Sequence, residues 1–237
     1  MLPVLVEGAH QLGIELTDDQ VGQFQRFYEM LADWSERVSL TAVKDEEGVQ
    51  RRHFLESAAI IAVLKAEGLS LEDRSLIDVG SGSGVPGVPL KILEPSLQLT
   101  LVEAKQRKAE FLNALLAELG LSDVNVATRR AEEAGHDPKH REQYDIAVAK
   151  ALAPLRTLAE LTLPFVRMGG LVLAPKGREA EREAKEASTA LEVLNGSLRG
   201  IEALPLTDRQ SLVLIDKVLP CPPRFPRRPG MPAKRPL

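Results

Sequence analysis

The sequence is poor in cysteine and in aromatic residues, and it has no long hydrophobic run. Cys221 is its one cysteine, so no disulfide can form within the chain. Aromatic side chains make up 4% of the 237 residues, too few for a wide platform on which nucleic-acid bases stack. No apolar run approaches the roughly 20 residues that a membrane-spanning helix requires. Residues 1–16 lack the basic start of a secretory signal, so we expect a cytoplasmic protein.

Histidine is also scarce, and the spacing of the four histidines does not predict a metal site. His136 and His140 alone are close enough in sequence to act together. Pro138 lies between them and disfavours the helix that would bring both side chains onto one face. We therefore expect neither a bound metal nor a membrane contact.

Charge is distributed unevenly along the chain. The formal net charge is −4, yet residues 220–237 contain five basic residues and no acidic one. An acidic body with a basic, proline-rich tail suggests that the tail contacts a polyanion such as RNA. A solvated, disordered tail would have the same composition, and the composition alone does not decide between the two.

Hydrophobic periodicity divides the chain into three parts. Helical patterns occupy residues 1–70, with a capping box at Thr17 and a second helix over 46–66 that stops at Gly68. Strands and helices then alternate, which predicts a mostly parallel sheet with helices on both faces. The strands are expected at 76–79, 97–103, 124–128, 144–151 and 171–176, followed by an antiparallel pair within 197–219. Helices are expected between them at 105–119, 154–166 and 178–194. We therefore predict a helical N-terminal extension (1–70), a Rossmann-like α/β domain (71–219) and a basic tail (220–237).

Four glycines follow the first predicted strand, between positions 80 and 87. A phosphate-binding P-loop is excluded because Val88 and Pro89 follow the last glycine, where that motif needs a lysine. The spacing of Gly82, Gly84 and Gly87 matches a dinucleotide fingerprint, and Glu103 lies at a suitable distance to bind a ribose.

Two features of the loop disfavour a dinucleotide, however. Pro86 and Pro89 remove amide donors that a pyrophosphate would use, and Asp78 would repel a diphosphate. The same carboxylate would attract the ammonium group of S-adenosylmethionine, which carries no phosphate. The alternative is a purely structural tight turn that Asp78 caps.

A charged turn, RRAEEA, follows the third predicted strand at 129–134. In a sheet of this kind it lies beside the adenine of a bound cofactor, where the Ala131 amide and the Glu132 carboxylate would contact the edge of the base. A solvated surface turn would have the same sequence.

Several motifs together resemble a known family, the bacterial small-subunit rRNA guanine-N7 methyltransferases called RsmG, or glucose-inhibited division protein B. The resemblance extends from about residue 17 to the end. It rests on SLTAV (39–43), RHFLES (52–57), IDVGSGSGVPGVPLKI (77–92), VEAKQRKAEFL (102–112), RAEE (130–133), AKALAPL (149–155), PKG (175–177) and FPRRPGMPAKRPL (225–237).

The resemblance implies a class I S-adenosylmethionine-dependent methyltransferase fold. It also implies a substrate guanine, methylated at N7, in the decoding-region loop of 16S rRNA. Together with the glycine-loop argument, it gives an expected cofactor-binding set of Asp78, Gly80, Ser81, Gly82, Gly84, Val85, Glu103, Ala104, Lys105, Ala131, Glu132 and Lys150. Lys150 departs from the family, which usually has arginine there, so a bidentate contact is lost.

Basic residues outside the cofactor loop are expected to bind RNA. The resemblance implies Arg130, Lys176 and Arg209. A short basic cluster and the tail add Arg52, His53, Arg227 and Arg228. Because contacts to several phosphates release counterions, binding should depend strongly on salt, and the target base should leave its stack to reach the cofactor.

No catalytic residue is predicted from the sequence. Guanine N7 has a lone pair and no proton to lose, so in-line attack on the methyl group needs no general base, and proximity and orientation provide the catalysis.

The expected partner is 16S rRNA or the 30S particle, and the enzyme is expected to be a monomer. The alternatives are a methyltransferase for another RNA, a small molecule or a protein, an NAD-dependent oxidoreductase, and a non-catalytic RNA-binding protein.

Overall fold

A seven-stranded sheet forms the centre of the computed structural model, which describes residues 2–237. The strands are β1 (Ser75–Val79), β2 (Gln98–Val102), β3 (Val124–Ala127), β4 (Tyr144–Val148), β5 (Val166–Lys176), β6 (Gly196–Ala203) and β7 (Ser211–Lys217). Their order is β3-β2-β1-β4-β5-β7-β6. Strands β1 to β5 are parallel, whereas β7 pairs antiparallel with both β5 and β6.

The direction in which strands are added to the sheet reverses between β1 and β4. Asp78 on β1 lies between Leu101 on β2 and Val148 on β4. The carboxyl ends of these strands therefore meet at one edge, and in open α/β sheets ligands bind in the crevice at such a reversal. We refer to this place as the switch point.

Helices cover both faces of the sheet. They are α1 (Pro3–Gln11), α2 (Asp18–Ser35), α3 (Glu46–Val49), α4 (Glu56–Ala66), α5 (Gly87–Leu93), α6 (Gln106–Leu119), α7 (Ala131–Ala134), α8 (Leu155–Thr162), α9 (Ala180–Glu186), α10 (Ser188–Val193) and α11 (Met231–Lys234). Alternating strand residues face opposite layers. Leu76 belongs to the core that contains Phe24 and Phe111, and Ile77 to the core that contains Leu158 and Phe165.

The N-terminal extension packs onto the sheet through α2 and α4. The predicted capping box at the start of α2 is present, because Thr17 and Gln20 bond each other's backbone amides. The ring of Phe54 lies 4.9 Å from that of Phe24 and 5.3 Å from that of Phe27. The predicted helix over 46–66 is interrupted, since residues Gln50–Leu55 between α3 and α4 form a π-helical segment. Helix α1 lies within the predicted helical extension, but it was not predicted as a separate helix.

Two predicted helices in the second half have different bounds. The helix expected to run from Pro154 to Val166 ends at Thr162 and continues as a 3₁₀ turn, Leu163–Phe165, because Pro164 provides no amide for a further helical bond. Strand β5 then begins at Val166, earlier than predicted. The charged helix expected over 178–194 is divided at Ala187 into α9 and α10.

The basic tail is folded against the body of the protein. Cys221 and Phe225 are buried, and Arg141 donates hydrogen bonds to the carbonyl oxygens of Cys221 (2.8 Å) and Phe225 (2.7 Å). The tail is therefore ordered, which contradicts the solvated, disordered alternative, while its contact with a polyanion stays a prediction. No helix within residues 2–237 is both long and apolar enough to cross a bilayer.

Candidate cofactor and RNA site

The glycine loop leaves β1 and crosses the end of β2 with left-handed backbone at three positions. Gly80, Gly82 and Gly84 have φ angles of 75°, 58° and 81°, a region that side chains with a Cβ rarely adopt. The Gly80 amide donates to the carbonyl oxygen of Val102 (2.8 Å), which holds the loop against β2. A Cβ on Gly80 would lie 2.6 Å from the side chain of Leu152. The loop therefore brings bare backbone to the switch point.

Asp78 lies beneath this loop with one carboxylate oxygen unpartnered. The residue is 1% exposed, and its Oδ2 accepts from the Gly87 amide at 3.0 Å. Its Oδ1 is buried without a hydrogen-bond partner. Burial raises the pKa of Asp78 to about 7; the charge of Glu103 also raises it, while the Gly87 hydrogen bond and the charge of Lys150 lower it. An unsatisfied buried acceptor of this kind fits the cationic amino group of S-adenosylmethionine.

Gly87 is needed here for space and not for its φ angle. A Cβ at this position would lie 2.7 Å from Oδ2 of Asp78 and 3.0 Å from the side chain of Leu101. The last glycine of the loop therefore permits the close approach of α5 to the Asp78 carboxylate.

Glu103 lies at the end of β2 and binds the glycine loop directly. Its Oε2 accepts from the Gly82 amide (3.0 Å) and its Oε1 from the Lys105 amide (2.7 Å). A carboxylate offers about four acceptor positions, so two remain for the hydroxyls of a ribose. Ala104 and Lys105 are exposed next to it, at the start of α6.

Two other residues of the expected cofactor set support the loop from inside. Ser81 is buried, and its hydroxyl donates to the carbonyl oxygen of Asp78 (2.8 Å). Val85 is 8% exposed and belongs to the hydrophobic core.

The expected adenine side of the site is joined to the C-terminal tail. Ala131 begins α7, and Glu132 beside it is 8% exposed. Oε1 of Glu132 accepts from the Gly230 amide at 2.8 Å. One oxygen of the carboxylate is therefore engaged by the tail, an interaction between residues 98 positions apart that the sequence does not reveal.

Lys150 follows β4 and joins the N-terminal extension to the switch point. Its Nζ lies 3.1 Å from Oε2 of Glu56 and donates to the carbonyl oxygen of Arg52. Burial lowers the pKa of Lys150, and the neighbouring Glu56 and Asp78 carboxylates oppose that effect. Glu56 was not singled out from the sequence. The signal was present, because an acidic residue stands within the apolar run FLESAAII.

The basic residues that were expected to bind RNA fall into two groups. Arg52, Arg130, Arg209 and Arg228 are exposed. The others are engaged inside the protein. Lys176 is 8% exposed, donates to the Ala153 carbonyl oxygen (2.6 Å) and pairs with Glu183 (2.8 Å). Nε of Arg227 donates to the fully buried Glu160 carboxylate at 2.8 Å.

His53 is held in its neutral form. Its Nε2 lies 2.8 Å from the Thr41 hydroxyl, and its Nδ1 is buried without a partner. Burial lowers the pKa of His53 to about 4, and the positive charge of Lys150 contributes. At neutral pH this side chain therefore adds hydrogen-bonding capacity to the region but no positive charge.

Comparisons with known proteins agree on one family and one fold. Residues 20–212 match the GidB family model, described as rRNA small subunit methyltransferase G. The chain is similar to proteins named Ribosomal RNA small subunit methyltransferase G from Roseiflexus sp. (45% identity, 100% of both chains), Dehalococcoides mccartyi (44%, 98% of both) and Pelotomaculum thermopropionicum (46%, 98% of this chain and 96% of the relative).

The fold is also similar to that of solved structures. A mutant of MtNAS in complex with S-adenosylmethionine aligns with a TM-score of 0.56 at 17% identity, over 92% of this chain and 78% of that one. A fibrillarin from Methanococcus jannaschii aligns with a TM-score of 0.51 at 14% identity, over 62% and 68%. The predicted class I, Rossmann-like fold is confirmed.

Proposed function

Because the chain belongs to the rRNA small subunit methyltransferase G family, we propose that it methylates N7 of a guanine in the decoding-region loop of 16S rRNA. The family predicted from the motifs is confirmed, and we propose S-adenosylmethionine as its methyl donor. The proposed substrate is 16S rRNA, alone or within the 30S particle, and the proposed enzyme is a cytoplasmic monomer.

The unpartnered Oδ1 of Asp78 is the structural observation that supports the methyl donor in this proposal. It lies at the switch point, under bare glycine backbone and beside a carboxylate suited to a ribose. A diphosphate would meet two carboxylates here, Asp78 and Glu103, whereas an ammonium group and two hydroxyls would satisfy them. This arrangement favours a methyl donor over a dinucleotide, and hence a methyltransferase over an oxidoreductase.

The residues present suit a reaction that moves no proton on or off the base. When bound, S-adenosylmethionine supplies an electrophilic methyl group on a sulfonium, and the lone pair of guanine N7 is a sufficient nucleophile. Asp78 would hold the amino group and Glu103 the ribose, so that the methyl group has a fixed direction. Orientation of this kind contributes up to roughly 7–11 kcal/mol to lowering a barrier. We propose no general base.

RNA binding is proposed for the exposed members of the basic set, Arg52, Arg130, Arg209 and Arg228. Arg52 and Lys150 adjoin the switch point, and Lys150 donates to the carbonyl of Arg52. Lys176 and Arg227 are proposed to position the site through Glu183 and Glu160. Phosphate contacts by the exposed arginines would release counterions and offset the acidic net charge of the protein.

Transfer of labelled methyl to 16S rRNA tests the proposal. We expect the purified protein to label 30S particles or naked 16S rRNA from cells that lack it. Digestion and mass mapping should find one 7-methylguanine in the decoding-region loop. Failure on both substrates, or methylation at a different atom, would contradict the proposal.

A further inference from the structure

A cavity of about 670 Å³ lies between the N-terminal extension and the loop that joins β6 to β7. Its volume falls within the roughly 300–1,000 Å³ of typical small-ligand pockets. The residues that matter here are Arg51, Arg52 and Glu56 from the extension, Lys150 after β4, and Leu206 in the β6–β7 loop. Of the expected cofactor-binding set, Lys150 alone is among the residues that line this cavity.

The strand order places the cavity on the other side of the switch point from the expected cofactor. The glycine loop, Glu103 and Ala131 follow β1, β2 and β3, which occupy one half of the sheet. Lys150 follows β4, which is the neighbour of β1 in the other half. A group bound beside Lys150 would therefore face the reactive end of a cofactor that Asp78 anchors.

Both walls of the cavity have unusual backbone. The π-helical segment Gln50–Leu55 ends directly before Glu56. On the opposite wall Leu206 has a φ angle of 60°, and Arg209, between the lining residues Asp208 and Gln210, has a φ angle of 55°. Single π turns and left-handed residues of this kind occur frequently at functional sites, and here they flank one cavity.

Glu56 has acceptor positions that match the hydrogen-bond donors of a guanine base. It is 7% exposed, and Lys150 contacts only its Oε2. Since a carboxylate has about four acceptor positions, Glu56 retains the capacity to accept two further N–H groups. The Watson–Crick edge of guanine presents two such donors, N1–H and N2–H, whereas adenine presents the acceptor N1 there.

The rest of the cavity suits a nucleotide. Leu206 is 46% exposed and offers apolar surface to the face of a base. Arg51 and Arg52 are exposed on the extension wall, and Arg51 also pairs with Glu47 at 2.8 Å. Both would meet the phosphates on either side of a nucleotide turned out of its stack.

We propose that this cavity receives the acceptor guanine and that Glu56 selects guanine by accepting hydrogen bonds from its N1–H and N2–H groups. This inference rests on the proposed function, since it names the subsite in which the methylated base lies. Lys150 holds the carboxylate in place and acts as a positioning residue.

Calorimetry with guanosine and adenosine monophosphates tests the subsite on the full chain saturated with S-adenosylhomocysteine. We expect GMP to bind saturably and AMP to bind at least about tenfold more weakly, because a bidentate contact to the wrong base is lost. Glu56→Gln should abolish this preference while the dissociation constant of S-adenosylhomocysteine changes less than about twofold. Glu67→Gln, at the exposed far end of α4, should retain the preference.

Three results would overturn the inference: no saturable GMP binding, equal binding of AMP, or an unchanged preference in Glu56→Gln. The comparison of GMP with AMP uses the unsubstituted protein, so it holds even if the Gln variant is unstable. An enzyme that labels 16S rRNA but fails the nucleotide test would refute the subsite alone. An enzyme inactive on 16S rRNA would refute the proposed function.

Discussion

Asp78 is the residue that should contribute most to cofactor binding at the switch point. It is almost fully buried, it accepts a hydrogen bond from Gly87, and its other oxygen has no partner. A buried acceptor without a partner is costly. A cationic ligand would supply the missing hydrogen-bond partner of Asp78, so binding of that ligand would stabilise the folded protein.

Replacing Asp78 by asparagine removes the negative charge of the side chain and keeps its shape. The amide oxygen can still accept from Gly87, but the negative charge that attracts an ammonium group is lost. We expect the dissociation constant of S-adenosylmethionine to rise at least about tenfold, in keeping with ~1.5–3 kcal/mol for a hydrogen bond to a charged group. Calorimetry measures this constant, with the exposed Asp33→Asn as control. Unchanged affinity in Asp78→Asn would show that the cofactor is oriented differently.

The pKa of Asp78 also predicts how cofactor affinity depends on pH. Burial raises this pKa from 3.8 to about 7, so the carboxyl is mostly protonated at pH 6 and must lose its proton to bind an ammonium group. Affinity should therefore increase by roughly five- to tenfold between pH 6.0 and 7.5. The same raised pKa means that the contribution of Asp78 to folding falls as pH rises from about 4 to 7.

Titration of affinity against pH checks this expectation. Binding measured at pH 6.0 in buffers of different ionisation enthalpy should reveal proton release, and Asp78→Asn should remove both the release and the pH dependence. A flat profile in the unsubstituted protein would contradict the assigned role of the carboxyl group.

Sequence reasoning at the scale of residues succeeds where chemistry follows from a local motif. Asp78, Gly82 and Glu103 could be placed together because a strand, a glycine loop and the next strand have one common arrangement. It fails where the tertiary fold determines which residue pairs with a charged side chain. Lys176 and Arg227 appear as free cations in the sequence, and only the structure shows that Glu183 and Glu160 pair with them.

At the scale of elements, the C-terminal tail behaves as a strap over α7 and α8. Arg227 pairs with Glu160 on α8, and Gly230 donates to Glu132 on α7. The Thr157 hydroxyl donates to the carbonyl oxygen of Pro232 at 3.2 Å. The tail therefore contacts the element that carries the expected adenine-binding residues.

Removing the charge of Arg227 should loosen this strap. In Arg227→Met the buried Glu160 carboxylate loses the guanidinium and keeps only the hydrogen bond from the backbone amide of residue 227. If the tail remains in place, this loss costs at most about 3–5 kcal/mol. We expect a lower melting temperature and, because Glu132 loses its restraint, weaker binding of S-adenosylhomocysteine. Thermal melts and calorimetry measure the two effects.

A double substitution distinguishes the cost of an unpaired buried carboxylate from the loss of the contact between the tail and α8. Glu160→Met combined with Arg227→Met replaces the ion pair by apolar contacts and should recover most of the lost stability. Arg228→Met, in the same segment but exposed, should leave the melting temperature unchanged. Equal losses in Arg227→Met and Arg228→Met would contradict the strap.

Elements were predicted well wherever hydrophobic spacing defines them. The strands of the sheet and helices α2 and α6 follow directly from periods of two and 3.6 residues. The π-helical segment Gln50–Leu55 was missed because it differs from an α-helix in hydrogen-bond register and hardly in apolar spacing. The packing of the tail was missed because many of its bonds involve backbone groups, which every sequence has.

For the whole molecule, topology joins three regions that are distant in sequence. The N-terminal extension contributes Glu56, the sheet contributes Asp78 and Lys150, and the tail restrains Glu132. Phe24 and Phe54 share one hydrophobic core with Leu99 and Leu101 of β2. The extension is therefore built into the same core as the sheet, so that its position relative to the switch point is fixed by packing.

RNA affinity should depend strongly on the exposed arginines, because the protein as a whole is negatively charged. A protein of net charge −4 binds RNA only if local phosphate contacts outweigh its general repulsion, and the logarithm of affinity should fall linearly with the logarithm of salt concentration. Arg130 is exposed at the N-terminus of α7, beside the expected adenine pocket. If it neutralises one phosphate, Arg130→Ala should reduce the magnitude of the salt slope by about 0.7–0.9.

The matched control is Arg37→Ala, which removes an exposed arginine paired with Asp33 at the end of α2. Filter binding of 30S particles over a range of salt concentrations gives the slopes, and calorimetry with S-adenosylhomocysteine confirms that the cofactor site is intact. We expect Arg130→Ala alone to bind RNA more weakly and with a smaller slope. If both variants keep the slope of the unsubstituted protein, the phosphate contacts lie on a different surface, because the salt dependence reports only charges that the RNA neutralises.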